Sequence, residues 1–94
     1  MLAQVYLNWA GTAEEFEKVK ELVKNVVANT NGVELEGLYI PTNKWNYVCV
    51  YKIDTFKNFS KYQKEVRMQL KNQNLAKIST RKLVLLMKTS ELGQ

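Results

Sequence analysis

Apolar residues recur along this chain with two different periods, and the places where the period changes mark out six elements. From Leu2 to Trp9 they alternate, with Ala3, Val5, Leu7 and Trp9 on one face and Leu2, Gln4, Tyr6 and Asn8 on the other, as a β-strand requires. Gly11 and Thr12 end that strand. Thr12 and Glu15 have the spacing of a capping box, in which hydroxyl and carboxylate each satisfy a backbone N–H that the first helical turn leaves orphaned. A helix is therefore predicted from about Ala13 to Asn29, burying Phe16, Val19, Val23, Val26 and Val27, with Glu14–Lys18 and Glu17–Lys20 pairs on its wet side. Asn29-Thr30-Asn31-Gly32 stops it, because Asn and Gly tolerate the left-handed backbone that closes helices.

Alternation returns from Val33 to Ile40, with Val33, Leu35 and Tyr39 on one side, and Pro41 closes this second strand. The breaker-rich turn Pro41-Thr42-Asn43-Lys44 leads into a third, Trp45 to Ile53, so the two should form a hairpin. Asp54 or Thr55 can cap a second helix, with Ser60 and Gln63 a competing box. Its buried stripe is Phe59, Tyr62, Val66 and Leu70, and it should fray in Lys71-Asn72-Gln73-Asn74. A last strand spans about Lys77 to Lys88, with Leu83, Leu85 and Met87 facing one way and Val84 and Leu86 the other. Residues 1–89 read as one domain and 90–94 as a tail.

Strand, helix, strand, repeated and joined by a hairpin, gives with right-handed crossovers an α+β, ferredoxin-like βαββαβ sandwich: a four-stranded antiparallel sheet with both helices on one face. The other sheet face should then be polar if water covers it. It is not. Whichever face meets the helices, the opposite one keeps a set such as Leu2, Tyr6, Val48, Val50, and Val84 with Leu86 or Leu83 with Leu85. Such a patch exceeds the roughly 300–600 Å² typical of a monomer's largest, and a homodimer removing about 800 Å² per protomer would cover it.

Composition narrows the setting. The 94 residues suit one core, and no apolar run approaches the roughly 18 residues of a membrane-spanning helix, so no membrane association is expected. Met1 to Tyr6 lacks the pattern of an export signal, and the single Cys49 cannot form an internal disulfide, which together suggest a cytoplasmic protein held by packing alone. The net charge of +5 is divided unevenly, −3 over residues 1–43 and +8 over 44–94.

The strand Gln4-Val5-Tyr6-Leu7-Asn8-Trp9 running into Thr12-Ala13-Glu14-Glu15-Phe16, Gly32-Val33, Gly37-Leu38-Tyr39, and Asn46-Tyr47-Val48-Cys49-Val50-Tyr51 before Asp54 resemble the dimeric α+β barrel superfamily over the whole chain. In that superfamily two ferredoxin-like protomers pack sheet against sheet, so the resemblance implies a homodimer. It spans cofactor-free monooxygenases, haem-degrading enzymes, isomerases, ligand-sensing domains of regulators and many small proteins without an assigned role, to which the likeness is greatest. Fold alone does not choose among them.

The chain contains no histidine, which removes the commonest general base, the proximal ligand of most haem proteins and the imidazole ligands of most zinc sites. Glycines at 11, 32, 37 and 93 are scattered and make no phosphate loop, and the glycine and arginine loop of the acylphosphatases is missing. No metal site and no cofactor are expected. A small apolar or aromatic molecule held between sheet and helices is the leading expectation, with Tyr6, Asn8, Trp9, Tyr47, Tyr51 and Tyr62 as candidate ligand-binding residues. A cofactor-free oxygenase is an alternative. The resemblance implies for it an asparagine on the first strand, matched by Asn8, but also a tryptophan and a histidine or tyrosine in the second helical region, where only Tyr62 stands. Asn8 reads more readily as a polar strand end, the tyrosines as core or interface, and Cys49 as a structural thiol.

The second helix sets Lys57, Lys61, Lys64 and Lys71 in one stripe with Arg67 beside it, and Lys77, Arg81 and Lys82 follow. This motivates a second alternative, RNA binding on a recognition-motif scaffold with the same element order. Val5-Tyr6-Leu7 suits the first signature of that scaffold, with Tyr6 placed to stack a base. Asn46 and Val48 stand where the second needs aromatics, which weighs against nucleic acid.

Overall fold

The changes of period become element boundaries in the structure, a computed structural model that describes residues 1–91: β1 (Leu2–Trp9), α1 (Ala13–Ala28), β2 (Val33–Tyr39), β3 (Tyr47–Ile53), α2 (Phe56–Asn72) and β4 (Ile78–Leu86). A 3-10 turn at Thr89–Glu91 follows, so the predicted tail begins inside it, and residues 92–94 lie outside the described chain. The sheet is antiparallel throughout, in the order β2-β3-β1-β4, and the fold is the ferredoxin-like α+β sandwich.

Local chemistry sets each junction. Thr12 and Glu15 form the capping box, with Glu15 N–H donating to Thr12 Oγ1 at 3.0 Å and Thr12 N–H to Glu15 Oε1 at 2.9 Å. Gly32, at φ +82°, turns the chain from α1 into β2, and its carbonyl accepts from Asp54 N–H at 2.9 Å. Thr55 caps α2 through Asn58 N–H at 3.1 Å, while Ser60 lies inside the helix and starts nothing.

The end of α2 differs from expectation. Lys71 to Asn74 does not fray. Asn74 takes φ +58°, Asn74 N–H donates to Lys71 O at 3.1 Å, and Leu75 N–H reaches back to Leu70 O at 2.7 Å. This is a Schellman closure, and Leu75 and Leu70, both buried, supply the apolar contact that accompanies it.

Register decides which side chains meet the helices. Ala3, Leu7 and Trp9 of β1 and Cys49, Tyr51 and Ile53 of β3 bury against Phe16, Val19, Leu22 and Val23 of α1 and Phe59, Tyr62 and Leu70 of α2. Leu22 joins the stripe unpredicted, and β3 begins at Tyr47, leaving Trp45 in the preceding loop. In β2 the pairing shifts between Leu35 and Gly37, so Glu36 is a bulge residue. Leu38 therefore shares the helix face with Val33 and Leu35, and Tyr39 moves to the opposite face, contrary to plain alternation.

The open face is also less bare than expected. Val48 and Val50 are only 7% and 8% exposed, Val48 flanked across the ladder by Tyr6 and Tyr39, Val50 by Gln4 and Gly37. The Tyr39 ring lies back over Gly37, where a Cβ would fall 2.7 Å from its hydroxyl. Leu86 and Tyr39 remain exposed there, and Leu2 and Val84 are half-buried. At the far edge neither helix packs closely on β4, so Leu83 and Leu85 stay exposed although they point to the helix side.

Candidate functional site

The helices do not close completely on the sheet. Between them lies a cavity of about 380 Å³. Its floor is Val5, Leu7, Cys49 and Tyr51, placed in phase by the antiparallel register of β1 and β3. Leu35 and Leu38 of β2 make one wall, Leu38 through the bulge. Phe16, Val19 and Val23 of α1 and Tyr62, Val66 and Leu70 of α2 form the roof. Lys20, Lys24, Glu36, Gln63, Arg67 and Arg81 complete the lining.

Two phenols are the polar groups of the depth. Tyr62 Oη donates to Tyr51 Oη at 2.7 Å, and the rings meet edge to face at a centroid distance of 5.1 Å. Burial raises the ionisation of both, Tyr51 well above the ordinary phenol range, so each stays protonated at neutral pH. Burial likewise pushes the Cys49 thiol up to about 11, its contact with Tyr51 opposing only slightly. A thiol so protonated is a poor nucleophile. Among the described residues no three His, Cys, Asp or Glu side chains gather in the manner of a metal site. The arrangement offers an apolar volume, a hydroxyl pair and a charged mouth, which suits holding a molecule.

The predicted ligand residues divide. Tyr51 and Tyr62 line the cavity. Trp9 and Tyr47 share the same sheet face but pack on Phe16, Tyr47 stacked at 3.8 Å and Trp9 edge-on at 5.3 Å, and the Trp9 indole N–H donates to Thr12 O at 2.8 Å. Tyr6 and Asn8 are on the opposite face. Tyr6 donates to Gln4 Oε1 at 3.1 Å and faces Trp45. Asn8 Oδ1 accepts from Asn46 N–H at 3.0 Å, and its Nδ2 donates to Thr80 Oγ1 at 3.1 Å, so the amide ties β1 to the chains on either side. The sheet thus separates Asn8 from Tyr62, the tyrosine that the oxygenase alternative has in its second helical region. It also separates Tyr6 from the exposed Lys57, Lys61, Lys64 and Lys71 on α2.

Arg67, beside that stripe, lines the cavity mouth together with Arg81 of β4. Withdrawal from water, then the neighbouring Arg67, lowers the ionisation of Arg81. Lys20 and Lys24 are engaged on their own helix, with Glu17 at 2.8 Å and Glu21 at 3.9 Å. Arg81 at this mouth had a signal in the sequence: it is in phase with Leu83 and Leu85, a cation on an otherwise apolar strand face.

No family model matches this chain, and comparison of its sequence with curated proteins finds no match. Solved structures do resemble it. An AsnC-family transcriptional regulator from Agrobacterium tumefaciens superposes with a TM-score of 0.67 at 13% identity over 94% of this chain, which spans only 50% of the regulator. A DABB-family protein with a ferredoxin-like fold from Mesorhizobium loti gives 0.67 at 8% identity, covering 88% of this chain and 90% of its own. A dimeric ferredoxin-like protein of unknown function from Thermobifida fusca gives 0.60 at 17% identity, covering 88% and 85%. The protein shares the ferredoxin-like fold of these structures.

Proposed function

We propose that the protein is a homodimeric α+β barrel whose protomers each bind a small apolar or aromatic molecule between sheet and helices. The observation that carries this reading is the cavity of about 380 Å³, which falls in the range of small-molecule sites and has an apolar lining with few polar groups. Pairing through the open sheet face is supported by Leu2, Tyr39, Val84 and Leu86, which one chain alone leaves at least partly exposed, and by structural relatives described as dimeric.

Two measurements test it. Light scattering at micromolar concentration should give twice the protomer mass, and Val84→Asp, which sets a carboxylate in the open face, should halve it without loss of helical circular dichroism. A wild-type monomer overturns the pairing. Calorimetric titration with naphthalenemethanol and straight-chain alcohols should show saturable binding that Val66→Trp, which fills the cavity, abolishes. Absence of binding by every probe overturns the ligand reading.

A further inference from the structure

The cavity mouth carries a charge arrangement that the apolar interior does not explain. Of the four cations in the lining, Lys20 and Lys24 have glutamate neighbours, whereas Arg67 and Arg81 form no ion pair among the described residues. The two arginines come from different elements, α2 and β4, and the fold brings both to the lining of one cavity, where the charge of Arg67 adds to the lowering of Arg81's ionisation. Glu36, the carboxylate of the same lining, pairs with neither. Two guanidiniums that line one apolar volume with no carboxylate between them are unfavourable when it is empty. They become favourable when a planar anion accepts hydrogen bonds from both, because the fork of an arginine matches a carboxylate in geometry as well as charge.

We propose that the ligand is an amphipathic carboxylate, its hydrocarbon or aromatic body in the cavity and its carboxylate between Arg67 and Arg81. The body is bounded in size. A volume of about 380 Å³ lies at the small end of ligand pockets, enough for a fused ring pair or a medium alkyl chain. The Tyr51–Tyr62 hydroxyl pair, deep in the same space, offers an oxygen-bearing ring one further hydrogen bond.

This inference rests on the cavity being a binding site, and the test separates the two. Hexanoate, octanoate, decanoate, dodecanoate and naphthoate are titrated beside their alcohols, against the wild type, Arg67→Gln/Arg81→Gln and Arg67→Lys/Arg81→Lys. The best carboxylate should bind about tenfold or more tighter than its alcohol. The glutamine variant should remove that margin, read as the ratio of acid to alcohol affinity within the same variant, and the lysine variant should keep part of it. Equal binding of acid and alcohol to the wild type, or a margin that survives the glutamine variant, overturns the carboxylate inference while the cavity reading stands. Alcohols and acids that all fail to bind overturn both.

Discussion

On its helix side the sheet buries Ala3, Leu7, Cys49 and Tyr51 beneath a second layer, and that layer stands off far enough to leave a cavity. On its open side the same strands bury Val48 and Val50 with no layer above them, only neighbours along the sheet: Tyr6, Tyr39, Gln4 and Gly37. Similar exposures arise from different physics. Covering by helices makes a concave, enclosed volume suited to a small molecule, whereas shielding by flanking rings makes a surface that suits another sheet. An apolar residue with low exposure in a single chain is not thereby a core residue.

The largest test of this contrast is truncation on each side. Phe59→Ala, at a position with 0% exposure under the helices, should lower stability by about 3–5 kcal/mol in urea unfolding. Val48→Ala should cost only about 1–2 kcal/mol, since its neighbours can settle inward. Equal losses would mean that the open face is packed as tightly as the core.

A second test uses thiol labelling at pH 8 on adjacent residues of β3. Cys49, buried and with its ionisation near 11, should react about two orders of magnitude more slowly than a free cysteine. Cys49→Ser combined with Val50→Cys moves the thiol to the open face, where labelling should be faster and should slow as protein concentration rises and sheets pair. Labelling as slow as that of Cys49 at every concentration breaks the contrast.

The smallest effect lies at the edge where β4 leaves the helices. Lys77 ties the start of β4 to Glu15 of α1, and this hydrogen bond, followed by the Thr12 N–H, holds the Glu15 carboxyl down at about 2 from its ordinary 4.5. A carboxyl depressed by folding stabilises fully above its unfolded value and loses that contribution as pH falls through the folded one. The unfolding midpoint should therefore fall between pH 4.5 and about 2, and Glu15→Gln should make that decline shallower. A variant as acid-sensitive as the wild type removes this tie from the account.

Local patterns carried most of the architecture. The capping box at Thr12 and Glu15, the Thr55 cap and the alternation of β1 were legible because they depend on residues close in sequence. What stayed hidden depends on register between strands. Which face of β1 meets the helices, the displacement of Tyr39 by the Glu36 bulge, and the sheet that divides Asn8 from Tyr62 all follow from pairings that no single segment encodes. The meeting of Arg67 and Arg81 is of the same kind, and only the phase of Arg81 with Leu83 and Leu85 hinted at it.

The bulge at Glu36 has a meaning for how this sequence can vary. Side-chain direction along β2 works like a reading frame, and Glu36 is a frameshift: upstream of it odd positions face the helices, and downstream even ones do. Deleting that one exposed glutamate would remove the bulge and leave every other facing as it stands, because Leu35, Gly37, Leu38 and Tyr39 already pair with four consecutive residues of β3, Tyr51, Val50, Cys49 and Val48. Glu36 is thus the residue of β2 that the chain can spare, whereas straightening the bulge with Glu36 retained would turn Tyr39 toward the helices and Leu38 away from them.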